Sequence, residues 1–227
     1  MPKLVRYIVI ICLLKGVLLF SQSTSRITFN PSFGSSKLLV DSTYHLNAKD
    51  SISITALRFY ISNLELINKS TSVWKDSSLF HLMDAFNPST LSLKIPSNVT
   101  FTKIKFNIGI DSTTNVSGAM GGDLDPTKGM YWTWQSGYIN FKLEGTSNLC
   151  KTRHNEFQFH LGGYQHPFNS LQTVFIETTS KPTIEINLDV QKIFQQIDMT
   201  QQHHIMSPGQ EAMDFSEKVI NSLSIKK

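Results

Sequence analysis

The chain has 227 residues, 40% hydrophobic and 17% charged, which suffices for one well-buried domain and is short for two. Its formal charge is +4, but Lys3, Arg6 and Lys15 all stand among the first 22 residues, where there is no acid, so the remainder carries +1. No basic run stands out in that remainder, which argues against a charge-driven nucleic-acid binder, and no nucleophile elbow, phosphate loop, zincin helix or dinucleotide fingerprint occurs to suggest an enzyme.

Residues 1–22 read as a secretory signal: Lys3 and Arg6 form the positive end, Ile8 to Phe20 is mostly apolar, and Ser21-Gln22-Ser23 offers a cleavage site. A membrane anchor needs about 20 unbroken apolar residues. This run is shorter and is interrupted by Lys15, so the mature protein, residues 23–227, is expected to be extracytoplasmic, periplasmic or secreted, with no membrane span. Cys12 leaves with the leader, and Cys150 then has no internal disulfide partner.

Beyond the leader, period-two alternation dominates. Arg26 to Asn30 makes a first strand that Pro31 should stop, and Lys37 to Val40 a second. In Ser51–Ile61, Ile52, Ile54 and Ala56 share one parity and Leu57, Phe59 and Ile61 the other, which predicts a β-bulge near Ala56. Further strands are expected at Phe80–Asp84, Phe101–Ile110, about Gln172–Thr178 and Thr183–Val190. Val190 to Ile197 has two turns of helical spacing. Pro208 to Ile225 predicts a longer helix, with Ser207 as N-cap, Gln210 completing a capping box, and Ala212, Phe215, Val219 and Leu223 as its apolar stripe. These elements predict an all-β fold, an antiparallel β-sandwich (Ig-like or barrel-like) with a C-terminal helix.

Between two of these strands lies a glycine-rich loop, Gly118 to Gly129, then Trp132 and Trp134 two residues apart. In a strand both rings would share one face with Met130, an aromatic platform. Ile139, Phe141 and Leu143 then alternate with Asn140, Lys142 and Glu144. Asp111, Asp123 and Asp125 invite a calcium reading, but their spacing is not that of an EF-hand, and capping of turns explains them better. Among the histidines, His160 shares a strand face with Gln158, opposite Phe157 and Phe159. His166 follows a Gly-Gly turn, and His203-His204 precedes the last helix with Met206 beside it. Imidazole with thioether support suits copper better than hard cations.

Several of these stretches together resemble a known family: Gly122-Asp-Leu-Asp-Pro, Gly129-Met-Tyr-Trp-Thr-Trp-Gln-Ser-Gly-Tyr, Leu143-Glu-Gly, Phe157-Gln-Phe-His-Leu-Gly-Gly, Phe59-Tyr-Ile-Ser-Asn-Leu and His204-Ile-Met-Ser-Pro. They are similar to the MbnP-like family of extracytoplasmic copper-binding proteins, over nearly all of the mature chain. The resemblance implies a secreted β-sandwich that holds copper through histidines. In some relatives a tryptophan oxidised to kynurenine, with the help of a di-haem peroxidase-like partner, joins the ligands. His160 lies in the matched motif, whereas His166, His203 and His204 are candidates by their chemistry. The expectation is a non-enzymatic copper-binding protein that sequesters the ion or hands it on. The alternative is a metal-free interaction module that binds a glycan or protein partner through its tryptophan face.

Overall fold

The computed structural model describes residues 24–40 and 42–226, so the expected secretory signal lies outside the described residues. In chain order come strands β1 (Ser25–Phe33), β2 (Ser36–Lys37), β3 (Thr43–His45), β4 (Ser51–Asn68), β5 (Thr71–Lys75), β6 (Phe80–Asp84), β7 (Ser92–Ile95) and β8 (Lys103–Ile108). Helix α1 (Ser112–Val116) opens the glycine-rich loop, followed by β9 (Tyr131–Trp132), β10 (Gly137–Ser147), β11 (Glu156–Gly162), β12 (Tyr164–Gln165), β13 (Phe168–Asn169), β14 (Gln172–Glu177) and β15 (Thr183–Asp189). The chain closes with α2 (Val190–Phe194), β16 (His204–Ile205), α3 (Gln210–Asn221) and β17 (Leu223–Ile225).

Two sheets face each other across the core. The larger runs β14-β8-β4-β10-β11-β16, with β3, β5 and β6 also paired to β4, and the smaller runs β17-β15-β1-β2, with β7 on β1. Most pairings are antiparallel, and β1/β15 and β11/β16 are parallel. Ile27, Phe29, Ile184 and Ile186 from the small sheet meet Phe59, Phe106, Phe141 and Phe157 from the large one, the alternation read from the sequence. Cys150 is sealed in this core. Among the described residues no helix is long and apolar enough to cross a membrane.

The parity switch in β4 is a bulge: Glu144 pairs Ala56 and Gly145 pairs Ile54, leaving Thr55 as the extra residue. A second irregularity lies between Ser62 and Glu65, where Asn63 takes φ 50°. A third separates Ile139 from Phe141 in β10. Ile139 is thereby turned out of the main core, so the expected shared face of Ile139, Phe141 and Leu143 does not form.

Pro31 does not stop β1. Phe29 sends its N–H to Leu91 O on the β7 side, and alternation aims the missing N–H of Pro31 toward the gap between β7 and β2. The second expected strand shrinks to Ser36–Lys37. The last helix starts at Gln210 after Gly209, with no side-chain cap, so the Ser207 capping box is not made. Ala212, Phe215 and Val219 are buried as the stripe requires, with Phe215 lying 4.5 Å from Phe159 between ring centroids. Leu223 instead begins β17, which returns antiparallel to β15.

The glycine-rich loop is a lid over the outer face of the large sheet. Leu124, Met130 and Trp132 pack there on Tyr60, Leu82, Tyr138 and Ile139 as a second apolar cluster. Buried amides fasten it. Asn115 donates to Ile110 O and Asp111 O and accepts from the Tyr138 N–H, and Asn140 accepts from the Ile110 N–H. Asp111 and Asp125 cap turns at Thr114 N and Thr127 N, both at 2.8 Å. Asp123 reaches further than a turn: it takes the Leu82 N–H of β6 and the Lys128 ammonium.

A final feature comes from pairing rather than sequence order. Arg26, Lys94, Lys37 and Lys226 stand far apart in the chain, yet β1, β7, β2 and the end of β17 bring them to the outer side of the small sheet. A basic face therefore exists although no basic run does.

Candidate metal centre

His160 is the best-defined donor. Phe157, Phe159 and Leu161 of β11 fill the core, which turns His160 to the outer face, where it is nonetheless only 6% exposed. It pairs with Lys142 of β10, and Glu144, two residues on, sits on the same side. Glu144 Oε1 lies 2.6 Å from His160 Nε2 and 3.2 Å from Lys142 Nζ. An ionised carboxylate only accepts, so this contact assigns a proton to Nε2, and in the neutral ring the lone pair then belongs to Nδ1. The His160 hydrogen bond, opposed by burial and helped by Lys142, holds the Glu144 carboxyl below the usual carboxylate range. Nδ1 is buried and has no partner. A carboxylate behind one ring nitrogen and a free lone pair on the other is how histidine is presented to a metal.

The remaining candidates are placed unequally. Strand β16 pairs parallel to β11, with His204 opposite Gln158 and Ile205 opposite Phe159. Ile205 enters the core, so His204 shares the outer face with His160, offset by two residues, or roughly 8 Å from strand spacing and rise. The pairing ends at Ile205, and the next residue, Met206, lies past the strand at the parity of His204. His204 and Met206 also line an open groove of about 380 Å³ at the start of α3. His203 sends its carbonyl to Gln158 N, and its buried Nδ1 also has no partner. By alternation it lies on the Ile205 side of the strand, not with His204.

His166 is not folded back beside His160. It is exposed near the tip of the β12–β13 hairpin and shares a cavity of about 100 Å³ with Gln135 and Pro208. Among the described residues, no three His, Cys, Asp or Glu side chains gather as a metal-holding group. The four histidines thus do not gather as one group, and Met206 is a soft donor that shares a groove with His204.

The tryptophans differ from the expected platform. Of Trp132 and Trp134, the first alone is in a strand. Residues 133–136 form the hairpin turn to β10, so Trp132 is 5% exposed while Trp134, on the turn, is 63% exposed. Their ring centroids are still 5.6 Å apart. The six-membered ring of Trp132 abuts Gly162, where a Cβ would come 2.5 Å from the ring, and Gly162 follows His160 on the same face. Trp132 Nε1 is a further buried atom with no partner. Unpaired nitrogens of His160 and Trp132 therefore lie on one side of one strand, a signal that alternation in Phe157-Gln-Phe-His-Leu-Gly contains but that needed the Trp132 turn to be seen.

A match to the MbnP family extends over residues 22–209. The chain belongs to the MbnP family. The solved structure of MbnP from Methylosinus trichosporium matches it with a TM-score of 0.59 at 13% identity, over 78% of this chain and 79% of that one. At that identity the likeness to MbnP shows the shared fold. No curated protein matches the sequence. The family match takes in β11, β16 and the glycine-rich lid, the elements that carry His160, His204, Met206 and Trp132.

Proposed function

We propose that this protein is a secreted, non-enzymatic copper-binding protein of the extracytoplasmic space that sequesters copper or hands it on. The observation that carries this reading is the His160 ring: Nε2 is held by Glu144 and Nδ1 is buried, unpaired and free to ligate. Leaving such a nitrogen without a partner costs about 1–3 kcal/mol, which a bound ion would recover. His204 shares its face and Met206 follows His204 at the same parity, whereas His203 lies on the other side of that strand and His166 on a separate hairpin. Two imidazoles and a thioether favour Cu(I), and an added oxygen or nitrogen ligand would admit Cu(II). Copper would be cargo here, so no acid or base is required of the protein.

The tryptophan pair supports a role for a di-haem peroxidase-like partner, because Trp134 is reachable from solvent and Trp132 abuts the His160 strand. Intact mass after co-expression with such a partner would show an exchange of one carbon for one oxygen if a tryptophan becomes kynurenine, and an unchanged mass would remove this step.

The test of the main reading is titration of the purified protein with Cu(I) and Cu(II) against a competing chelator, beside His160→Ala and Met206→Ala. Stoichiometric binding that His160→Ala abolishes and Met206→Ala weakens for Cu(I) supports it. Absence of stoichiometric binding, or binding unchanged in His160→Ala, overturns it.

A further inference from the structure

The outer face of the small sheet carries a polar trough that copper binding does not use. Ile27 and Phe29 enter the core, so alternation puts Arg26, Asn30 and Ser32 of β1 outward. Register then sets Asn187 beside Asn30, Ser224 beside Asn187, Lys37 beside Ser32 and Lys94 beside Arg26. A concavity of about 430 Å³ opens over Asn30, Ser32, Lys37, Asn187, Ser224 and Lys226. A second, of about 320 Å³, continues it from Lys226 to Lys181 and Thr183.

Two independent properties of the trough ask for a ligand. The first is hydrogen-bonding capacity: Ser32 lines the concavity and its hydroxyl oxygen, buried at the floor, has no partner, while Asn30 and Asn187 turn two carboxamides to the same space. The second is charge. Of the acids on this face, Glu185 is held by Lys226 at 3.3 Å, and Asp189 Oδ1 is occupied by the N–H groups of Gly34 and Gln191. Arg26, opposite Thr183 of the second concavity, and Lys94, opposite Arg26, carry further positive charge just outside the lining.

We propose that this trough binds a strand of acidic polysaccharide of the polyuronate class. A carboxamide offers a donor and an acceptor side by side, which matches the vicinal hydroxyls of a sugar ring. The carboxylates repeated along a polyuronate meet the cations Lys37 and Lys181 toward the two ends of the trough, with the Lys226–Glu185 pair between them. No aromatic ring lines either concavity for a nucleic-acid base to stack on, and the apolar residues that line them, Pro31, Ile184 and Ile225, belong to strands of the sheet, with Pro31 and Ile184 buried.

The test is binding of a labelled oligogalacturonate to the purified protein across a salt series, with neutral oligomaltose, dextran sulfate, duplex DNA and anionic vesicles as comparisons. Oligogalacturonate is expected to bind and oligomaltose not to. The exposed double charge reversal Arg26→Glu with Lys94→Glu should weaken binding about tenfold or more and flatten its salt dependence. Asn187→Ala should weaken it roughly two- to tenfold, the loss of one net hydrogen bond, with the salt slope kept. Copper affinity should not change in any of these variants, since the trough lies on the other sheet from His160. No uronate binding overturns the proposal. So does binding that Asn30→Ala and Asn187→Ala leave intact, or equal binding of dextran sulfate, DNA or vesicles, which would make the face a general anion surface.

Discussion

Replacing Glu144 tests whether a carboxylate behind the ring prepares His160 for copper. Glu144 Oε1 takes the Nε2–H of a nearly buried imidazole at 2.6 Å, with Lys142 at 3.2 Å. A hydrogen bond to a charged group contributes about 1.5–3 kcal/mol. Since about 1.4 kcal/mol is a factor of ten, Glu144→Ala should lower copper affinity by about ten- to a hundredfold, the range usual for such outer partners. Glu144→Gln keeps an acceptor and loses the charge, so it should fall between wild type and Glu144→Ala. The assay is competition with a chromophoric Cu(I) chelator at fixed pH, with thermal unfolding alongside to confirm that each variant is folded. Wild-type affinity in Glu144→Ala, together with loss in His160→Ala, would refute the orienting role. The same pair has a pH signature. The folded carboxyl is held below its unfolded value of about 4.3, so its stabilisation is full above that pH and is lost as pH falls through the depressed folded value. The difference in melting temperature between wild type and Glu144→Ala should therefore be steady near neutrality and shrink in acid.

Other consequences concern the scaffold. A Cβ at Gly145 would stand 2.0 Å from Ser53 O and 2.7 Å from the Phe157 ring, so Gly145→Ala should cost about 3 kcal/mol or more and lower the urea midpoint accordingly; an unchanged midpoint would show that β4 and β10 can part there. Asn115→Ala should cost about 2–4 kcal/mol, because it strands the buried Tyr138 N–H and frees the lid, which limited proteolysis would show as faster cleavage within residues 116–129. At Asp123 burial raises the carboxyl, but the Lys128 ammonium and the Leu82 N–H outweigh it and hold the group low. Asp123→Asn should thus be less stable at neutral pH and lose less stability than wild type on acidification, which melting curves across pH would read.

Where one side-chain face was buried, the sequence was informative. The alternation of Ile104, Phe106 and Ile108 and the parity switch beyond Ala56 each follow from contact with a single core, so the β-sandwich and the Thr55 bulge could be anticipated. Reading failed where a residue serves two layers. Ile139 looks like a neighbour of Phe141 until the bulge between them turns it toward the lid. Ser207 and Gln210 have capping-box spacing, but the chain reaches the helix through an extended Gly209 and the box cannot close. At the candidate site the outward position of His160 was legible from its phenylalanine neighbours. Its link to Glu144, sixteen residues away in sequence, depends on the β10–β11 register, and the buried state of Trp132 depends on a turn that strict alternation does not foresee.

The placement of Cys150 has a consequence for handling and for use. Its thiol is packed inside, near Met199 O, and burial pushes its pKa up to about 11. A thiolate is the species that captures soft metals and attacks other sulfurs, and at neutral pH this one is scarcely formed and shielded besides. Preparations should stay monomeric with respect to disulfide cross-linking in air without added reductant. Alkylating reagents should react only once the protein unfolds, which makes that sulfur a built-in reporter of opening.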